Sequence, residues 1–218
     1  MEKQYWLDRW DNNDIGWNQE NINVYLIKHY QQLNLKNYNH VFVPLCGKSI
    51  DMKFFLENGH FITGCELSIE ASKDFFYDNN LYFDANQYYH FEILRGDNID
   101  LFCGDLFKIE ERALSLPIDL VYDRGAIVAL PKEMRVKYFE HINSLIKSGT
   151  RWIIMSLEHE SVKHQGPPFS VTLNEIEELA KNDFNVELIE EEKVINQGQR
   201  LELLGKGQIN RVILLEKK

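Results

Sequence analysis

Val41-Phe-Val-Pro-Leu-Cys-Gly-Lys-Ser-Ile-Asp-Met52 is the stretch from which the rest of the chain can be read. Its first residues form an apolar run suited to a strand buried on both faces. Cys46-Gly47-Lys48 then makes a turn, and Ser49 is placed to cap an amphipathic segment that ends at Gly59. Strand, glycine-bearing turn and helix in that order open a nucleotide-binding α/β unit, in which the turn and the helix N-terminus meet the ligand. A second apolar run, Phe61-Ile-Thr-Gly-Cys-Glu66, ends in a carboxylate. It lies about 20 residues beyond the turn, where such folds place the acid that binds ribose hydroxyls.

Upstream, residues 1–20 hold three of the four tryptophans, and Trp6 and Trp10 are spaced to share one face of a short helix. That face either packs the N-terminus onto the core or acts as a lid over a flat ligand, excluding water. A helix is expected from about Asn21 to Leu35. Residues 41–80 then read as β-α-β-α, with the second helix opening at Ser68. Residues 81–98 lack clear periodicity and read as an insertion ending at the Gly96-Asp97-Asn98 turn. Ile99–Cys103 is a third strand, closed by Gly104-Asp105-Leu106, and a charged helix is expected near 108–114. A fourth strand, Ile118–Tyr122, ends in Asp123-Arg124-Gly125. Pro131 opens a helix to about Lys147, and Arg151–Leu157 is a fifth strand. Gln165–Ser170 is rigid turn material before a helix at Leu173–Lys181. Val186–Lys193 and Gln208–Glu216 close the chain as two strands joined by a glycine-containing loop. The pattern predicts one α/β domain over 1–218, its sheet mainly parallel with an antiparallel edge.

The 218 residues, 44% of them hydrophobic, suffice for a sizeable core. A net charge of −10, with Lys and Arg scattered, argues against a nucleic-acid or membrane-surface binder. No apolar stretch approaches the length of a membrane span, and the first residues lack a signal-peptide pattern. Cys46, Cys65 and Cys103 have no ligand spacing and read as reduced core thiols, and a cytoplasmic enzyme is expected. His159 and His164 lack the carboxylate or cysteine that would complete a metal site, so no metal is expected.

Ligands of open parallel sheets bind at the carboxyl ends of the strands. The candidates there are Leu45-Cys46-Gly47, Glu66, Asp105 and Asp123-Arg124. Neither Gly-x-Gly-x-x-Gly nor Gly-x-x-x-x-Gly-Lys-Ser/Thr is present. An adenosine-type ligand without phosphate, such as S-adenosylmethionine, therefore suits the turn better than a dinucleotide.

At this point the residues become recognisable. Trp6-x-x-Arg-Trp10, Ile15-Gly-Trp-Asn-Gln19, Val43-Pro-Leu-Cys-Gly-Lys-Ser49, Gly59-His60, Gly64-Cys-Glu-Leu-Ser68, Tyr122-Asp-Arg-Gly-Ala126 and Gly166-Pro-Pro-Phe-Ser170 span the chain. With them it closely resembles the thiopurine S-methyltransferase family, a branch of the Rossmann-like methyltransferases. The resemblance implies a seven-stranded, mainly parallel sheet with an antiparallel C-terminal edge hairpin and helices on both faces. It implies S-adenosylmethionine as cofactor, S-adenosylhomocysteine as product, and a small-molecule thiol as substrate; a monomer is expected.

Residue by residue, the resemblance implies that Trp10 covers the cofactor, Leu45 and Gly47 hold it, and Glu66 binds its ribose. Asp105 and Leu106 would flank the adenine. Arg124 would stand near the methionyl part and the substrate, with Trp17 and Phe169 as substrate walls. Arg124 would favour the thiolate, and Asp123 or a water would receive the proton. Asn18 stands where the family commonly has His, and the 196–208 segment with Arg200 matches only loosely. Two alternatives stay open. One is methylation of selenium or tellurium species, halide or thiocyanate for detoxification, and the other is a non-catalytic cofactor-binding module.

Overall fold

The computed structural model of the chain describes residues 3–161, 164 and 166–218. Met1 and Glu2 of the expected 1–20 lid, and Gln165 of the expected 165–170 turn, lie outside the described residues, as do Val162 and Lys163. The chain divides into two compact units, Met1–Val121 and Tyr122–Lys218.

The first unit opens with α1 (Lys3–Asp11) and α2 (Val24–Gln32). The side chain of Asn23 caps α2 by accepting the Tyr25 N–H, which is why this helix starts three residues later than expected. There follow β1 (His40–Pro44), α3 (Ile50–Glu57), β2 (Phe61–Glu66) and α4 (Ile69–Asp78). Ser49 and Ser68 cap α3 and α4 through their hydroxyls, so the β-α-β-α reading holds to within a residue or two. Then come β3 (Asp84–Tyr88), β4 (Phe91–Gly96), β5 (Ile99–Cys103) and β6 (Leu120–Arg124), whose first two residues belong to this unit. The strand order is β3-β4-β5-β2-β1-β6. β5, β2, β1 and β6 run parallel, while β3 and β4 are antiparallel. Every residue of β1 and β5 is buried, as the continuous apolar runs require.

Three expectations need correction here. Residues 81–98 are not an irregular insertion: they fold as the β3–β4 hairpin. β3 escapes a periodicity search because four of its five residues are exposed and none of the five alternates inward. No α-helix forms near 108–114, where short 3₁₀ turns at Leu106–Lys108 and Glu111–Ala113 stand instead. With β3 and β4, the described strands number nine where seven were expected.

In the second unit the end of β6 leads into α5 (Ala126–Ala129), α6 (Lys132–Leu145), β7 (Arg151–His159), α7 (Leu173–Ala180), β8 (Phe184–Ile195), α8 (Gly198–Leu204) and β9 (Gly207–Lys217). β7, β9 and β8 lie in that order and pair antiparallel, giving the expected C-terminal hairpin. The glycine-containing loop between its strands holds α8, which sequence pattern does not announce. Trp152, fully buried, packs on Phe139 and Phe184. The buried Arg135 ties α6 to α7 through Glu175 at 2.8 Å, and Arg211 bridges Glu158 and Glu191 on the two flanking strands.

Candidate functional site

The turn after β1 is built under local strain. Leu45 adopts φ 48° and Gly47 φ 52°, both left-handed, a conformation a branched side chain takes only when its surroundings demand it. Such strain at the end of a buried parallel strand marks a place where backbone groups are aimed at something. Lys48 does not reach toward that place. Its ammonium bonds Asp78 at 2.9 Å and Asp74 at 3.4 Å on α4.

Glu66 ends β2 beside this turn. Its Oε2 accepts the Gly47 N–H at 2.9 Å and its Oε1 accepts the Ser68 N–H at 2.9 Å, so one carboxylate joins the β1 turn to the start of α4. The side chain is 6% exposed, and burial raises its pKa despite the backbone N–H groups of Ser68, Gly47 and Leu67. Each oxygen keeps a lone pair for a further donor. The Gly47 N–H is given to Glu66 and the Lys48 ammonium to α4, so the turn points neither of them at a phosphate. It offers acceptor capacity to hydroxyl groups, which fits a ribose.

α1 carries Tyr5, Trp6 and Trp10, yet none of its residues is buried. Two contacts hold it over the ends of the parallel strands. At its start, Lys3 Nζ pairs with Asp105 Oδ2 at 2.8 Å, beyond the end of β5. Near its end, the Trp10 ring lies against Gly47, beyond the end of β1. Since β2 lies between β5 and β1, the helix crosses the strand end that bears Glu66. Burial pushes the Asp105 carboxyl up, but Lys3 and the Phe107 N–H outweigh it and hold it below its ordinary value. Leu106 is buried at the same strand end.

Trp17 stands edge-on to Trp6 and Trp10, with ring centroids 5.3 and 5.7 Å away. Arg9 fixes it: the guanidinium lies 4.9 Å from the Trp17 ring centroid, bonds Tyr5 Oη at 2.9 Å and pairs with Asp14 at 3.1 Å. Arg9 stands inside the Trp6-x-x-Arg-Trp10 motif, where nothing in the motif itself announces this role. Its spacing of one turn from Tyr5 was the available signal. Asn18 is half-buried, and its N–H bonds the Ile15 carbonyl.

In the second unit, Asp123 is completely buried. Its Oδ1 accepts the Ile127 N–H at 3.1 Å and its Oδ2 accepts the Tyr138 hydroxyl at 2.8 Å. Burial pushes its pKa up to about 6. The carboxyl expected as a proton acceptor is therefore enclosed and committed to building the turn into α5. Arg124, next in sequence, is half-buried, and its guanidinium has no hydrogen-bond or ion-pair partner among the described residues. Phe169 is joined to α5 by its N–H, which bonds the Val128 carbonyl at 2.7 Å, and its ring folds over Gly166 so that no β-carbon fits there. Arg200, on α8, is exposed.

Cys46, Cys65 and Cys103 are free and buried, and burial raises the pKa of all three, Cys103 to about 12. They are inert core thiols. Among the described residues no group of three His, Cys, Asp or Glu side chains could hold a metal ion, and no helix is long and apolar enough to cross a membrane.

A family model described as thiopurine S-methyltransferase matches residues 1–218. A thiopurine S-methyltransferase of Shewanella baltica strain OS185 is 36% identical over 205 residues, covering 92% of this chain and 91% of that protein. One of Marinobacter nauticus is 39% identical over 186 residues, covering 85% of this chain and 84% of its own length. Among solved structures, a Burkholderia thailandensis 1,6-didemethyltoxoflavin-N1-methyltransferase matches with a TM-score of 0.66 at 15% identity, covering 99% of this chain and 87% of that one. That structure, which holds 1,6-didemethyltoxoflavin and S-adenosylhomocysteine, shows the methyltransferase fold. The model match along the entire chain and the near full-length relatives make this chain a member of the thiopurine S-methyltransferase family.

Proposed function

We propose that this chain, acting as one methyltransferase domain, transfers the methyl group of S-adenosylmethionine to the sulfur of thiopurines or other aromatic and heterocyclic thiols. Family membership supports S-adenosylmethionine-dependent methyl transfer, and the buried Glu66 carboxylate beside the turn, with acceptor capacity left for hydroxyl groups, supports a nucleoside-bearing donor. Bound S-adenosylmethionine supplies an electrophilic methyl on a neutral leaving group, so the residues have mainly to position and dry the reactants. Glu66 accepts the ribose hydroxyls, and Leu45 and Gly47 present the turn backbone. Asp105 and Leu106 flank the adenine, and α1 with Trp10 closes over them. Trp17, held by Arg9, is assigned to the acceptor by the family resemblance, and so is Phe169 in the second unit.

The observation that carries the acceptor class is Arg124. A half-buried guanidinium without a partner among the described residues favours an anionic ligand, and a thiolate beside it is stabilised against its protonated form. Asp123 acts as a positioning residue for that turn, and water receives the thiol proton. In this reading the enzyme works in the cytoplasm as a monomer.

One preparation screened against aromatic thiols, selenite, tellurite, iodide and thiocyanate tests the proposal. Methylation of heterocyclic thiols at rates well above those for the ions is expected. Transfer confined to the ions would assign a chalcogen or halide acceptor. Tight cofactor binding with no turnover on any compound would leave a binding module.

A further inference from the structure

The end of β7 carries a group of buried polar atoms that methyl transfer as described does not use. His159, Asn196 and Gln208 are only 9%, 4% and 2% exposed. His159 Nδ1, Asn196 Oδ1 and Gln208 Oε1 nevertheless have no hydrogen-bond partner among the described residues. The strand register places them at three neighbouring strands. His159 pairs with Gln208 across β7 and β9, and Gln208 pairs with Val194 across β9 and β8. The Asn196 N–H bonds the Lys206 carbonyl at 2.9 Å, which carries the ladder two residues past Val194. Directly paired residues share a face and alternate residues return to it, so all three side chains rise on the same face.

The partners that these side chains do have fix what the orphaned atoms are. His159 Nε2 faces the Pro168 carbonyl at 3.3 Å and must carry the hydrogen, which leaves Nδ1 as a bare lone pair. Asn196 Nδ2 donates to the Gly205 carbonyl at 2.9 Å, which leaves Oδ1 as an acceptor. Gln208 Nε2 donates to Asn210 Oδ1 at 2.7 Å, which leaves Oε1 as a third. Burial lowers the His159 pKa, and the neighbouring His164 works in the same direction, so the ring stays neutral. The group is thus three buried acceptors that meet no donor among the described residues, each a liability of about 1–3 kcal/mol until one arrives. A divalent cation suits them poorly, because imidazole and amide oxygens here come without a carboxylate or thiolate.

Their position within the second unit says what the donor belongs to. Pro168, held by His159, directly precedes Phe169, and the Ser170 hydroxyl bonds both the N–H and the carbonyl of His159 at 3.0 and 3.2 Å. Phe169 in turn bonds Val128 of α5, the helix that follows Arg124. The acceptors therefore adjoin the loop assigned above to the methyl acceptor.

We propose that His159 Nδ1, Asn196 Oδ1 and Gln208 Oε1 form a subsite that reads the N–H edge of a heterocyclic methyl acceptor. The enzyme then selects N–H-bearing heterocycles over carbocyclic aromatic thiols of similar size. This rests on the reading that Phe169 and Arg124 contact the acceptor. A site that hydrogen-bonds a ligand group discriminates strongly against an analogue lacking it, because its own buried atoms are left unpaired.

Two measurements test it. Hypoxanthine keeps the purine N–H edge but has no sulfur, so its titration into protein saturated with S-adenosylhomocysteine does not depend on methyl transfer. Calorimetry is expected to show binding that is about tenfold weaker in Gln208→Met and in Asn196→Leu, and weaker again for 1,9-dimethylhypoxanthine with the unaltered protein. Second, the ratio of kcat/KM for 6-mercaptopurine to that for thiophenol is expected to fall about tenfold in the same variants. S-adenosylhomocysteine affinity serves as the check that they fold. If hypoxanthine fails to bind the unaltered protein, the acceptors hold only water and the subsite is refuted. Equal losses for both thiols likewise overturn it, by assigning the residues to packing. Absence of methyl transfer to either thiol would instead count against the broader function, while the hypoxanthine result still decides the subsite.

Discussion

The Trp10 indole rests on the α-carbon of Gly47, where an added β-carbon would stand 3.1 Å from Cζ2 and 3.4 Å from Cη2. The N-terminal helix and the turn after β1 are thereby one fitted surface. Gly47→Ala would combine a left-handed backbone cost of about 1–2 kcal/mol with displacement of the indole. S-adenosylmethionine affinity by calorimetry is expected to drop about tenfold, matching a loss of that size. In a Trp10→Ala background the same change should be milder. Equal losses in both backgrounds would show that the indole contact is immaterial.

Glu66→Gln keeps the shape of the side chain but removes the charge that strengthens hydrogen bonds from hydroxyl donors. The dissociation constant for S-adenosylmethionine should rise about tenfold or more, the equivalent of one charge-assisted bond. Turnover at saturating cofactor should change far less. A variant with unaltered cofactor affinity would remove Glu66 from the ribose site.

Arg9 is the residue that links the aromatic cluster to the chain's own backbone, through Asp14 and its position 4.9 Å from Trp17. Arg9→Gln leaves Trp17 free to turn. The expected result is a higher KM for the thiol, by roughly threefold to tenfold for a cation–π contact of ordinary strength, with cofactor affinity little altered. A change confined to cofactor affinity would place Trp17 on the donor side instead.

Much of this arrangement is legible in the sequence because it is carried by local chemistry. The buried strands announce themselves as apolar runs, Ser49 and Ser68 as caps, and Glu66 by its spacing from the turn. What stays hidden depends on partners far away in the chain. β3 exposes four of its five residues and exists because β4 pairs with it, so no pattern within 84–88 reveals it. Asp123 looks like a proton acceptor beside Arg124 until Tyr138, fifteen residues on, is seen to occupy its second oxygen. Lys3 carries no sequence signal of its own, and only the fold brings Asp105 to it. The acceptors at His159, Asn196 and Gln208 depend on a register between three strands, which composition does not encode.

Arg124→Ala should lower kcat for thiol methylation more than Asp105→Ala does, because only the former removes charge next to the developing chemistry. A loss on the order of 100-fold is expected if the guanidinium holds the thiolate, within the range for a single electrostatic donor. Arg124→Lys should recover part of it, and the acid limb of the rate profile should move to higher pH in Arg124→Ala, since the thiol then ionises less readily. Losses at Arg124 no larger than those at Asp105 would take the arginine out of the catalytic centre.

Asp123 gives the fold a pH dependence whose sign can be worked out. Burial pushes its carboxyl from 3.8 up to about 6, against the opposing hydrogen bonds from Tyr138, Ile127 and Ala126. Between those values the folded chain keeps a proton that the unfolded chain has released. The contribution of this group is therefore fully present below pH 3.8 and falls as pH rises through about 6. About two pK units correspond to roughly 3 kcal/mol. Asp123→Asn, which does not titrate, should lack that slope. Urea unfolding of both proteins at several pH values between 4 and 7 is expected to show the wild type losing stability relative to the variant as pH rises. Tyr138→Phe, which removes a hydrogen bond to the charged form, should push the carboxyl higher and extend the fall to higher pH. Parallel stability curves for the wild type and Asp123→Asn would mean that Asp123 titrates as an ordinary exposed carboxylate and does not anchor the turn before α5.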